Sequence, residues 1–292
     1  MRNIKNVEFA NFYDFNSKNF LEKYRKISKF SNYYLSLLEK NNFLKNFIGW
    51  PIDSLSTNTR AWEYTKIVEH IERLNEKKSI LDIGGGITFF PFFLKNNKHS
   101  VTVIDNDKKL IVLANKISKK IKKELTPPQY KLEDITKDRP KKKYDLITCV
   151  SVIEHLKYND LNKAFNYFYN SIKKGGKVVI TLDILKHVEK NNEDKKIINF
   201  EPLTEQRLLS LIKIQKKKFS LVKIKKIRNL REITNEKYPI SILFKNYKFK
   251  KMSSIKIIKF LIGRFFLSKL NIKKFYKKPK VIWTTVFFVL QK

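Results

Sequence analysis

Carboxylates and glycines, rather than clusters of cysteine or histidine, mark where this chain could do chemistry. The segment LDIGGGITFF at 81–90 sets Asp82 two residues before Gly84, with Gly85 and Gly86 following directly. Glycines let a backbone turn tightly and approach a ligand closely. Nineteen residues beyond Gly86, Asp105 closes the apolar run VTVID, with Asn106 beside it. A carboxylate at such a strand end can accept both hydroxyls of a ribose. Asp134 and Ile135 follow the short run YKL at 130–132, and SVIEH at 151–155 adds Glu154 and His155, an acid and a base. The set suits a nucleotide-like ligand beside an acceptor whose proton has to be moved.

Other chemistries fit poorly. The one cysteine, Cys149, sits inside an apolar run and reads as a buried, inert thiol, and a disulfide within the chain is impossible. His70, His99, His155 and His187 are scattered without metal-ligand spacing, so no metal is expected. A dinucleotide loop of the G-x-G-x-x-G type would need glycine where Phe89 stands, and no lysine follows the turn as a P-loop requires. Asp82 also argues against a dinucleotide, because it would repel a pyrophosphate while suiting an amino group.

The elements that must hold these residues alternate. Short apolar runs at 79–83, 101–104, 130–132, 144–150 and 177–181 are separated by helical sequence. Pro91 falls in the first turn of the helix that follows the glycines. Strands alternating with helices imply right-handed βαβ units and a parallel sheet covered on both faces. Upstream, Phe20, Leu21, Tyr24, Ile27 and Phe30 recur at helical spacing, as do Ile67, Ile71 and Leu74, with a break at 49–51. Downstream, a helix over 202–212 with Thr204 near its start precedes strands at 221–227 and 281–290. This divides the chain into an N-terminal helical cap (1–75), an α/β core (76–227), a basic insertion (228–280) and a final core strand (281–292).

With these positions fixed, the sequence resembles the class I S-adenosylmethionine (SAM)-dependent methyltransferases, whose first motif is [DE]-x-G-x-G-x-G. Asp82, Gly84 and Gly86 match it, and Thr88 replaces the third glycine. The resemblance covers 79–182 and the last strand, and implies a Rossmann-like, doubly wound sheet of seven strands. It also implies SAM as cofactor, held by Asp82, Gly84, Gly85 and Gly86 at the methionine end. Asp105 would take the ribose and Asn106 would lie beside the adenine. Asp134 would take the adenine amino group, with Ile135 facing the ring. Val150 and Ser151 would border the methionine end again. Relatives often place a Tyr or Arg from a segment such as RAWEY at 60–64 over the methionine carboxylate, which makes Arg60 and Tyr64 candidates for that role or for packing and capping. His155 could act as base with Glu154 orienting it, or the two could simply open a helix. Some relatives in quinone pathways bind a metal through an additional Glu where this chain has Ser151.

Charge sets the possible partners. Lys and Arg number 63 against 27 Asp and Glu, a net charge of +36, but only nine of the basic residues are Arg. Lysine enrichment of this kind fits an AT-rich coding bias as well as it fits nucleic acid. After Glu236 the chain has no acidic residue, and 254–270 has the pattern of a basic amphipathic helix. Such a helix can lie on an anionic membrane surface or pack on the core. The [DN]-P-P-[YF] motif of amino-methylating nucleic-acid enzymes is missing at the fourth strand exit, where the chain reads SVIE. The expected reaction is methyl transfer to oxygen, ahead of nitrogen or carbon, on a small-molecule, glycan or lipid-linked acceptor. An RNA substrate or a catalytically degenerate SAM-binding partner subunit are the alternatives. No signal-peptide run and no membrane span is legible, so a cytoplasmic protein is expected, with peripheral contact at the inner face of the membrane through 237–280.

Overall fold

A computed structural model describes residues 7–10, 17–43, 58–72, 76–187, 203–215, 217–227 and 282–292. In chain order these form β1 (Val7–Ala10), α1 (Lys18–Lys40), α2 (Asn58–Glu72), β2 (Ser79–Ile83), α3 (Phe89–Asn96), β3 (Ser100–Asp105), α4 (Lys108–Ile121), β4 (Gln129–Leu132) and β5 (Tyr144–Val150). A 3-10 turn at Ile153–His155 follows, then α5 (Tyr158–Ser171), β6 (Ile172–His187), α6 (Glu205–Gln215), β7 (Ser220–Ile227) and β8 (Ile282–Gln291).

Among the described residues one sheet holds all eight strands, in the order β1-β7-β8-β6-β5-β2-β3-β4. The strands from β4 through β6 pair in parallel, while β8 runs antiparallel between β6 and β7. The sheet has eight strands rather than the expected seven. The addition is β1, which pairs in parallel with β7 at the edge and lies in a stretch expected to be helical. Four residues are too few to show a strand period, and the pairing partner lies more than two hundred positions away, so local sequence carries no sign of it.

Alternation along the strands splits the interior into two layers. Ile80, Val103, Leu146, Val179, Phe287 and Val289 face one core with α1, α2, α3 and α4. Leu81, Ile83, Ile147, Cys149, Ile180 and Phe288 face the other core with α5 and α6. Parallel strands buried on both faces read as the near-continuous apolar runs seen here. The N-terminal helices are tied into the first layer: α1 buries Phe20, Ile27, Tyr34 and Leu38, and the Tyr34 hydroxyl donates to the Ile87 carbonyl at 2.8 Å. Side-chain oxygens cap several helix starts, Thr204 among them as the sequence suggests. Asp107 accepts from the Lys109 and Leu110 amides ahead of α4, and Thr204 Oγ1 accepts from the Arg207 amide ahead of α6.

The direction of strand order reverses between β2 and β5, because β3 and β4 extend to one side and β6 to the other. Ligands of open α/β sheets bind outside the carboxyl ends of the strands at such a switch. The break at 49–51, Leu74, Pro202 and all of 228–280, with the basic pattern at 254–270, lie outside the described residues. Among the described residues no helix is long and apolar enough to cross a membrane.

Candidate functional site

Register brings the singled-out residues to one edge. Asp82 is aligned with Val103 on one side and Thr148 on the other, Asp105 with Leu132, and Val150 with Thr181. Asp82, Asp105, Asp134 and Ser151 therefore emerge at the carboxyl ends of β2, β3, β4 and β5, around the reversal.

The glycine turn is built on Asp82. Its carboxylate is buried, and Oδ1 accepts from Thr148 Oγ1 at 2.5 Å. A Cβ added to Gly85 would stand 2.1 Å from Asp82 Oδ2, so the backbone at 85 lies directly on the acid. Gly84 has φ +67, and a Cβ there would meet Val152 Cγ2 at 2.4 Å, so both conformation and space demand glycine. Its amide also donates to the Ile104 carbonyl at 2.8 Å, fastening the turn to β3. A Cβ added to Gly86 would make only ordinary contacts, with Leu110 Cδ1 at 3.9 Å and Asp105 Oδ2 at 4.0 Å, so it is the φ of +50 that favours glycine there. Thr88 has φ −71 and ψ 164, an extended backbone that needs no glycine, and its Oγ1 donates to the Gly85 carbonyl at 2.9 Å. The departure from the motif is thus absorbed by a hydrogen bond inside the turn.

Burial dominates the electrostatics. Loss of solvent pushes Asp82 up to about 7, against the opposing hydrogen bond from Thr148. Asp105 is raised by partial burial, although it accepts from the Asp107 amide at 2.9 Å. Asn106, next along, is exposed. Asp134 is engaged by its own turn: Oδ1 accepts from the Thr136 amide and hydroxyl at 2.9 and 2.7 Å, and Oδ2 pairs with Lys137 at 2.9 Å. Desolvation would raise it, but these bonds outweigh that and hold it below the usual range. Ile135 is buried beside it.

At the exit of β5 lies a constellation that the sequence only half reveals. Ser151 is buried at φ +50, and its Oγ donates to Glu63 Oε1 at 2.8 Å. Glu63 is fully buried, and its Oε2 accepts from Arg60 Nη1 at 2.9 Å. Burial raises Glu63, and the Arg60 guanidinium opposes the rise. Tyr64 is buried against Phe89 and Phe90, with ring centroids 5.3 and 4.6 Å away, and burial pushes its hydroxyl up to about 12. Glu154 is buried and raised to about 8 by desolvation, with Asp183 and Glu63 adding to the effect. Its Oε1 accepts from the Asp183 amide at 3.3 Å. His155 lies at the surface, where partial burial and Arg60 lower its pKa. Cys149 is buried on the β5 face opposite Thr148, with its thiol raised well above the ordinary value by burial.

Glu63, Thr148 and Asp183 are the members that sequence reasoning missed. Thr148 carried a signal, as a hydroxyl in the otherwise apolar run LITCV. Asp183 did not, because β6 continues beyond Thr181, where the apolar pattern suggested an end. A cavity of about 800 Å³, lined among others by Lys26, Phe93, His99 and Ser100, lies at the amino-terminal ends of β2 and β3, away from all these groups.

Comparison with known proteins agrees with the geometry. Residues 81–178 match the family described as a methyltransferase domain. A phosphoethanolamine N-methyltransferase of Plasmodium falciparum is 30% identical over 155 residues, covering 51% of this chain and 53% of that protein. Phosphoethanolamine N-methyltransferase 2 of Haemonchus contortus, solved with SAM, superposes with a TM-score of 0.53 at 17% identity, over 78% of this chain and 52% of that one. Coclaurine N-methyltransferase, solved with N-methylheliamine and S-adenosylhomocysteine (SAH), gives 0.53 at 17% identity, over 91% and 88%. The chain spans about half the length of the two phosphoethanolamine enzymes. The family match over residues 81–178 and the fold shared with these methyltransferases both fall on the α/β core that carries the acids and the glycine turn.

Proposed function

We propose that the protein transfers the methyl group of SAM to a small-molecule acceptor at the carboxyl edge of β2, β5 and β6. The observation that carries this reading is the convergence of Asp82, Gly84–Gly86, Asp105 and Ser151 at the point where strand order reverses. The residues fit the cofactor. Asp105 Oδ2 would lie 4.0 Å from a Cβ at Gly86, so the acid stands beside the glycine turn, where it would take ribose hydroxyls. Asp82 supports the turn from below and offers negative charge toward an ammonium group. Arg60, paired with Glu63, brings a cation to the Ser151 end, where it could face a carboxylate. Asn106 and Ile135 flank the adenine side. Asp134 contributes less, because its carboxylate is already engaged by Thr136 and Lys137.

Bound there, SAM supplies a methyl group on a sulfonium, and little covalent help is needed. The protein's part is to hold donor and acceptor in line and to manage the acceptor's proton. Glu154 and His155 stand at the exit where that proton would leave. We propose nitrogen rather than oxygen as the acceptor atom. The acids Glu63, Glu154 and Asp183 outnumber Arg60 around that exit, and the curated relative is described as an N-methyltransferase. Contact of 237–280 with an anionic membrane, and with a lipid-linked acceptor, remains a proposal resting on sequence pattern.

The test is transfer of labelled methyl from SAM into a small-molecule extract, with Asp105→Ala as control. A labelled product retained on a cation exchanger is expected. Label found only in RNA, or only in neutral products, contradicts this reading.

A further inference from the structure

The opposite edge of the sheet carries a second concavity, which the methyl-transfer reading does not use. It is the cavity of about 800 Å³ at the amino-terminal ends of β2 and β3, a volume ordinary for a small-molecule site. Its apolar wall is Val68 and Ile71 of α2 with Phe93 and Leu94 of α3. Its rim is cationic. The two acids there are already matched: Glu72 pairs with Lys23 and Lys26 at 2.7 Å each, and Glu76 pairs with Lys78. Lys77, Lys95 and Lys98 line the same cavity and have no acidic partner among the described residues. The Ser100 amide donates to the Lys78 carbonyl at 2.9 Å, which brings residues 77–78 alongside 98–99. His99 is fixed in that corner. Its Nδ1 accepts from the Lys78 amide at 3.2 Å, so in the neutral ring the proton sits on Nε2. Burial lowers the His99 pKa, and Lys26 and Lys78 add to the effect, a positive field suited to an anion. Lys98 holds φ +71 just beyond α3, where glycine is the usual residue, so a lysine stands at the rim against its backbone preference.

We propose that this cavity binds a small soluble phosphate monoester carrying an apolar group. The phosphate lies among Lys77, Lys95 and Lys98 with His99 Nε2 as a donor, and the apolar group rests on Phe93 and Leu94. Three unmatched cations suit a dianion better than a single carboxylate. The apolar wall adds nothing for inorganic phosphate, and a concave site favours a molecule that fits inside it over an extended polyanion. Because the cavity lies away from Asp82 and Asp105, this ligand is neither the cofactor nor the methyl acceptor.

Phenyl phosphate is the probe, titrated into the full chain while the His99 ring signal, assigned with His99→Gln, is followed by NMR. A saturable shift of that signal is expected, with inorganic phosphate and benzoate each binding about tenfold more weakly. Lys77→Ala combined with Lys98→Gly should weaken phenyl phosphate by about tenfold. Relief of the positive φ should meanwhile keep the melting temperature of that variant at or above the wild-type value. Lys116→Ala combined with Lys120→Ala, on the exposed face of α4, should leave binding unchanged. No shift of the His99 signal, inorganic phosphate or benzoate binding as tightly as phenyl phosphate, or equal losses in the two double variants would overturn the proposal. Capture of the chain by phosphatidic acid vesicles, reversed by phenyl phosphate, would overturn the soluble ligand in favour of a lipid headgroup.

Discussion

Ser151 Oγ donates to Glu63 Oε1 at 2.8 Å, joining residues 88 positions apart and fastening the first turns of α2 to the exit of β5. The bond holds Ser151 at φ +50, a conformation that costs a non-glycine residue about 1–2 kcal/mol. Arg60 closes the other side of Glu63, so one buried carboxylate sets both the strained residue and the guanidinium beside the site.

Removal of that carboxylate should be expensive. Glu63→Ala breaks an ion pair whose acid is fully buried and removes the acceptor of Ser151, and should cost about 3–5 kcal/mol in denaturant unfolding. Ser151→Ala keeps the strain and loses the bond, whereas Ser151→Gly loses the bond and relieves the strain. The glycine variant should therefore be the more stable of the two by about 1 kcal/mol. Equal stabilities would contradict the role given to the positive φ.

The turn makes an opposite pair of predictions for glycine and threonine. Gly85→Ala places a methyl 2.1 Å from Asp82 Oδ2, so the acid or the turn must move, and SAM affinity should fall by more than about tenfold by calorimetry, the factor given by about 1.4 kcal/mol. Thr88→Gly restores the motif's third glycine, yet should gain nothing. Its backbone is already relaxed, and loss of the bond to Gly85 should cost about 1 kcal/mol of stability.

Acidity follows from burial with a definite sign. Asp82 and Glu154 have folded pKa values raised to about 7 and about 8. An acid that holds its proton more tightly when folded adds stability that is complete below its unfolded pKa, about 4, and is lost as pH rises through the folded value. Unfolding free energy of the SAM-free protein should thus decline from these two groups between about pH 4 and 8. Asp82→Asn and Glu154→Gln should each flatten that slope. A slope unchanged in both would contradict the burial argument.

The same shift predicts how the cofactor responds to pH. Asp82 must be ionised to attract an ammonium group, so SAM affinity should weaken as pH falls below about 7, by at most about tenfold per pH unit for one proton. Asp82→Asn should bind more weakly at pH 8 and show little of this dependence.

Strand ends and the glycine turn were legible in the sequence because each is local: an apolar run, then an acid or a glycine. The same logic located Asp105, and it extended to SVIEH at the next exit. Glu63 stood between Arg60 and Tyr64 without standing out, because only the packing of α2 on the sheet brings it to Ser151. Tyr64 reads as a site residue by position and is buried between phenylalanines. Asp134 sits at the expected strand end, but two neighbours in its own turn, Thr136 and Lys137, take up its carboxylate. Local pattern thus identified which residues leave the sheet, and tertiary contact decided which of them are committed elsewhere.

The central claim is that SAM binds at this edge through the acid that ends β3. Calorimetric titration of the full chain with SAM tests it, comparing the wild type with Asp105→Ala and Asp134→Ala. The account predicts binding by the wild type and a loss of about thirtyfold for Asp105→Ala, as expected for about 2 kcal/mol of charge-assisted hydrogen bonding. It predicts a much smaller loss for Asp134→Ala. No binding by the wild type, or an Asp105→Ala variant that binds as the wild type does, would contradict it.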